Sequence, residues 1–217
     1  IFAVASTGYL NFFLPYFGIR LQDFAYNLGP FTNINLLWLG ETIVMIIFLR
    51  WLNVQGVKES SLVNEILGAI DLVMEMSIVA FGLILAWNPD LLRQQWLHEF
   101  PAPRQFMYGF SLAIISFVGL ESISQAAQET RRPATVIPRT SIALIFTVFI
   151  LALGFSVTGL GILPWQAFKA HEADPIAYLA SHIPYLGVIA GPFAALLGAT
   201  ILFISSNSGV MGDSRLI

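Results

Sequence analysis

TSIALIFTVFILALGFSVTGLGILPWQAF, residues 140–168, contains no Asp, Glu, Lys or Arg. A helix rises about 1.5 Å per residue, so about 20 such residues cross a hydrocarbon core of roughly 30 Å. Four more runs without those charges, 1–19, 24–40, 105–120 and 175–212, surround it. They are rich in Leu, Ala, Phe and Ile on every side and lack the polar–apolar alternation of a membrane barrel strand. Six helical spans follow, near 1–18, 31–52, 62–87, 106–128, 140–163 and 183–211, making one all-α integral membrane domain over 1–217. Arg20 and Asp23 interrupt the apolar pattern between the first two spans.

Composition agrees. The 217 residues are 57% hydrophobic and 11% charged, with a mean hydropathy of +0.77. Soluble domains carry about 25% charged residues, so this chain has too little charge to cover a water-facing surface. Disordered, collagen-like and disulfide-rich classes are excluded on the same grounds. A net charge of −3 argues against a nucleic-acid partner. With no cysteine, there is no thiolate metal site or cysteine nucleophile.

The connections give an orientation. If the first span runs outward from the cytoplasm, the inner segments hold Arg50, Lys58, Arg131, Arg132, Arg139 and Arg215. The outer ones hold Arg20, Arg93, Arg104 and Lys169. Six against four is a mild positive-inside bias. Trp87 and Trp165 at outer edges and Trp96 in an outer loop fit an interfacial belt. No charged n-region or small-residue cleavage site precedes the first apolar block, so it does not read as a signal peptide. The chain reads as a fragment of a longer membrane protein.

Polar residues inside the spans mark where chemistry could lie. Around Gly119 in the fourth span stand Ser116, Glu121, Ser122 and Ser124. A glycine there either breaks the helix and turns backbone groups into a cavity or lets two helices approach closely. Glu121 either carries a proton or hydrogen-bonds irregular backbone, because an intramembrane acid needs a partner or a water path. In the third span Asp71 and Glu75 are four apart and share a helix face. Asp71 is read as an ion- or proton-coupling residue, and Glu75 as lying on a wet face. Thr200, Ser205, Ser206, Asn207 and Ser208 cluster in the sixth span as neutral oxygen ligands or interhelical hydrogen-bonding groups. His98, His171 and His182 fall in or beside loops without ligand spacing and are expected to be solvated. No phosphate loop, nucleophile elbow or metal motif is present in the sequence, so an enzyme is not expected.

Three strings, LNVQGVKESSLVNEIL (52–67), FVGLESISQAAQETRRPATVIPRT (117–140) and SSNSGVMGDSRL (205–216), together resemble the amino acid–polyamine–organocation family of amino acid permeases. The resemblance implies the inverted-repeat, leucine-transporter-like fold, with this chain covering about helices three to eight. It also implies that Ser116, Phe117, Val118, Gly119 and Leu120 form the broken sixth helix whose backbone receives the substrate ammonium. Glu121 matches the acid after that break, and Ile115 occupies the position of an aromatic lid, which Phe117 would have to replace. Asp71 falls where some proton-coupled relatives carry a fifth-helix lysine. Ser205 and Ser206 fall near the eighth-helix serines that face sodium in sodium-coupled relatives.

The implied function is secondary active amino acid transport across the cell (plasma) membrane by alternating access, coupled to a proton or sodium gradient. The partners expected are an amino acid substrate and the lipid bilayer, with no cofactor beyond a coupling H+ or Na+. An exchanger for amino acids, amines or polyamines is the alternative on the same scaffold. A non-transporting receptor or assembly subunit is the alternative from another class.

Overall fold

The computed structural model describes residues 2–28, 31–54, 61–115 and 132–214. Helices dominate. Helix α1 (Phe2–Leu10) runs directly into a 3-10 helix, Asn11–Phe17. Because a 3-10 helix rises about 2.0 Å per residue, this segment reaches roughly 28 Å, about the thickness of the hydrocarbon core. Gly18 ends it with φ +73°, a left-handed conformation that glycine adopts without a Cβ penalty. Its amide donates to the carbonyl of Pro15, and Ile19 donates to that of Leu14.

A 3-10 turn (Leu21–Phe24) and two antiparallel strands, β1 (Ala25–Leu28) and β2 (Phe31–Asn35), follow. Ala25 pairs with Asn35, Tyr26 with Ile34 and Leu28 with Phe31. This hairpin was not expected from the sequence. It occupies the start of the predicted 31–52 span, so helix α2 begins only at Leu36 and extends to Val54. Asn35 starts it: its Oδ1 accepts from the Trp38 amide at 3.1 Å, satisfying one free donor of the first turn. Its Nδ2 donates to the Leu21 carbonyl at 2.6 Å, tying the turn to the helix start.

Helix α3 (Ser61–Leu85) matches the expected third span. Helices α4 (Pro89–His98) and α5 (Pro103–Ile115) come next. Helix α6 (Pro133–Ile162) begins earlier than the expected residue 140, with Pro133 at its start, where a missing amide costs nothing. The segment 164–182, read as a loop, contains two short helices, α7 (Trp165–Ala170) and α8 (Pro175–Ser181). Helix α9 (Gly187–Ser214) overlaps the expected 183–211 span but starts four residues later. Among the described residues, Glu65–Leu85, Pro133–Ile162 and Gly187–Ser206 are long and apolar enough to cross a membrane. The fold is therefore an all-α membrane bundle, with one short hairpin added.

The chain divides into two compact units. The first comprises residues 1–87 and 165–217, the second residues 88–164. In the first, α9 packs against α1, α8, α3 and α2, and small residues Ala194, Ala195 and Ala199 form its buried stripe. In the second, α4 packs on α6. Asn88 caps α4, its Oδ1 accepting from the Asp90 and Leu91 amides, while its own amide donates to the Gly161 carbonyl at 2.8 Å. Gln95 Nε2 donates to the carbonyls of Leu160 (2.7 Å) and Leu163 (3.2 Å), two groups that the end of α6 leaves without helical partners. Ile142, Ile145, Phe146, Phe149, Ile150 and Leu153 form an exposed apolar stripe along α6, as a lipid-facing helix requires.

Candidate functional site

The expected substrate backbone, Ser116, Phe117, Val118, Gly119 and Leu120, and the adjacent Glu121 lie outside the described residues. The side chain of Ile115, at the lid position, also lies outside them. What the structure places is the other half of the expected site, Asp71, Ser205 and Ser206, and the helices around it.

On α3, Leu67, Asp71, Met74, Glu75 and Ile78 are buried or half-buried at helical spacing, while Leu72, Val73 and Met76 are exposed. Both carboxyls therefore sit on the inward stripe of α3, the helix that packs on α9. Glu75 is half-buried there rather than on a wet face. The two side chains lie one helical turn apart, close enough to repel when both are ionised.

Tyr9 on α1 is where neighbouring elements meet. Its hydroxyl is hydrogen-bonded by the backbone of Ile176, and Asp174, Glu75 and Asp71 all lie within electrostatic reach of it. Its ring lies against Gly198 of α9. Next to it, the Ser6 hydroxyl donates to the Ala199 carbonyl at 2.7 Å, a fully buried bond between α1 and α9. On the opposite side of α1, Thr7 Oγ1 lies 3.0 Å from Thr42 Oγ1, and Trp38 Nε1 donates to Thr7 Oγ1 and to the Val4 carbonyl, each at 3.0 Å. These bonds hold α1 between α2 and α9 through buried polar groups that have partners.

Ser205 and Ser206 are half-buried on α9. Ser205 Oγ donates to the Ile201 carbonyl one turn earlier at 2.9 Å, which leaves its lone pairs to accept. Among the described residues, no hydrogen bond or ion pair joins either serine to Asp71.

A cavity of about 910 Å³ is bounded by α1, its 3-10 extension, the start of α2 and residues 170–174. Asn11, Arg20, Asn35, His171, Glu172 and Asp174 give it polar groups. Gly8 permits the 171–174 turn to rest on α1, since a Cβ there would stand 2.9 Å from the Ala173 carbonyl oxygen. Burial pushes the Asp174 carboxyl above the usual aspartate range, and His171, with Nδ1 at 3.6 Å, partly offsets that shift. The two histidines of this segment are held by a tyrosine: His171 stacks on Tyr178 with centroids 3.6 Å apart, and His182 Nδ1 lies 2.9 Å from the Tyr178 carbonyl. Among the described residues, no group of three His, Cys, Asp or Glu side chains could hold a metal ion.

Sequence reasoning missed Tyr9, Asn11, Glu41 and Asp174. For Glu41 a signal was present, since an acid within an apolar span is costly and calls for a partner. Tyr9 and Asn11 carry no such signal, and their placement depends on how α1 packs.

A family model described as amino acid permease matches residues 1–217. The branched-chain amino acid permease BcaP of Bacillus subtilis is 26% identical over 93% of this chain and 43% of its own length. The D-serine/D-alanine/glycine transporter of Escherichia coli is 26% identical over 99% of this chain and 43% of its own. The L-asparagine permease of Escherichia coli is 25% identical over 48% of this chain and 20% of its own. The chain spans less than half the length of these relatives.

Proposed function

This chain belongs to the amino acid permease family, and we propose that the protein it forms part of moves amino acids across the membrane by alternating access. It is a multi-pass protein of the plasma membrane and belongs among transport proteins rather than enzymes. The observation that supports the coupling part of the proposal is the pair Asp71 and Glu75, both half-buried on one stripe of α3. An intramembrane acid is expensive, and two on one inward stripe suit a proton or cation that is bound and released as the helices rearrange.

In this reading the backbone of residues 116–120 receives the ammonium group of the substrate, and Glu121 stands beside it. Asp71 takes the coupling proton or sodium ion. Ser205 and Ser206, with lone pairs free to accept on a helix packed against α3, offer oxygens toward a cation. No covalent step and no organic cofactor are needed, because the work is binding and release on alternate sides.

The test is uptake of labelled amino acids by the complete protein in sealed vesicles, under an imposed proton gradient, an imposed sodium gradient and neither. Accumulation driven by one gradient supports the proposal and identifies the ion. Flux only against a preloaded counter-substrate makes the protein an exchanger. Substrate binding with no flux under any condition overturns transport and leaves a receptor or subunit.

A further inference from the structure

Asn11 and Glu41 form a second polar pair, separate from Asp71 and Glu75. Asn11 is the first residue of the 3-10 segment and is 5% exposed. Both atoms of its amide, Nδ2 and Oδ1, are buried without a hydrogen-bond partner, and so is Oε2 of Glu41. The amide lies beside the carboxyl, yet no bond of normal geometry closes between them. Both residues line a cavity of about 470 Å³ whose other walls include Leu10, Phe13, Leu14, Val44, Met45 and Phe203. Leaving such groups buried and unpaired is costly, so each calls for a partner.

Three chemistries could satisfy them. An ionised Glu41 accepts from Nδ2 but leaves Oδ1 unpaired and sets a net charge against apolar walls. A cation satisfies the two oxygens but leaves Nδ2 without an acceptor. A protonated Glu41 donates its O–H to Oδ1 while its other oxygen accepts from Nδ2, so that two antiparallel bonds use every unpaired atom. Of the three, only the third pairs every one of these atoms without a further ligand.

From this geometry we infer that Glu41 and Asn11 form a proton-binding site, a carboxylic acid closed on a carboxamide at the seam between α1 and α2. Asn11 also lines the 910 Å³ cavity, which holds Asp174 and the half-exposed His171. Among the described residues, Glu41 is the one titratable group on the walls of the smaller cavity. Among the elements packed on this part of α2, α1 and its extension carry Tyr9 and Tyr16, and the 3-10 turn before β1 carries Asp23. Residues 187–206 of α9 carry no titratable group. None of the three faces this cavity.

Infrared difference spectroscopy on the complete protein in lipid tests the site without relying on transport. Wild type minus Glu41→Gln at neutral pH should show the carbonyl stretch of a protonated carboxylic acid, moving to lower frequency in D2O. Glutamine can close the same pair of bonds, so that variant should fold. Asn11→Leu provides a second handle: it removes both partners and should move the same band to higher frequency. Bands of an ionised carboxylate in the difference spectrum, or carboxylate bands that shift on adding sodium, would overturn the inference. An acid band that Asn11→Leu leaves unmoved would overturn the pairing.

Discussion

Gly198 of α9 lies against the ring of Tyr9 on α1, so closely that a Cβ at residue 198 would stand 3.0 Å from both Cδ1 and Cε1. One residue further on, the Ala199 carbonyl accepts from Ser6. The crossing of α1 and α9 is therefore set by a small residue, a flat ring and one buried hydroxyl, the kind of contact that joins helices where lipid gives no hydrophobic drive.

Gly198→Val should force that crossing apart and lower the stability of the detergent-solubilised protein by about 1–3 kcal/mol, as overpacking does. Thermal unfolding measures it. Tyr9→Ala in the same chain should recover part of the loss, because the clash is with that ring; a fully additive double mutant would show that the contact is not shared.

Asp71→Asn should abolish gradient-driven accumulation in vesicles while leaving downhill or exchange flux. Its carboxyl lies on the inward stripe of α3, and asparagine keeps the shape without the ability to gain and lose a proton. Unchanged accumulation would remove Asp71 from the coupling step.

Asp174 gives a pH dependence with a definite sign. Its carboxyl is raised above the ordinary value of 3.8 by burial, so the folded state binds more protons than the unfolded one between those two values. Stability contributed by this group is fully present below 3.8 and is lost as pH rises through the folded value. Asp174→Asn should flatten that decline, as read from unfolding midpoints recorded from about pH 4 upward. An undiminished slope in the variant would place the titration elsewhere.

Gln95→Leu should release the carbonyls of Leu160 and Leu163 from their side-chain donor. A cost of about 1–3 kcal/mol is expected for buried carbonyls left unpaired. Hydrogen exchange should report it as faster exchange in α4 and the last turn of α6, with α1 and α9 unaffected.

Much of the fold was legible because membrane spans are written in composition. The 62–87 span became Ser61–Leu85, and 183–211 became Gly187–Ser214. The stretch 24–40 misled because it lacks charge, yet Tyr26, Ile34 and the Gly29–Pro30 dipeptide are strand and turn signals. The pairing of Asp71 with Glu75 was also legible, since a spacing of four on a helix fixes a shared face.

The sequence by itself determined the class of protein, the family and the positions of most helices, because the hydrocarbon core imposes length and apolarity on each span independently of its neighbours. Only the tertiary structure decided which face of each helix looks inward. It set Tyr9 within reach of Asp71, Glu75 and Asp174, and set Asn11 beside Glu41. Those neighbours come from segments up to 165 positions apart. In a chain apolar on nearly every side, periodicity cannot say which side packs; small residues and buried hydroxyls make that choice at the crossings.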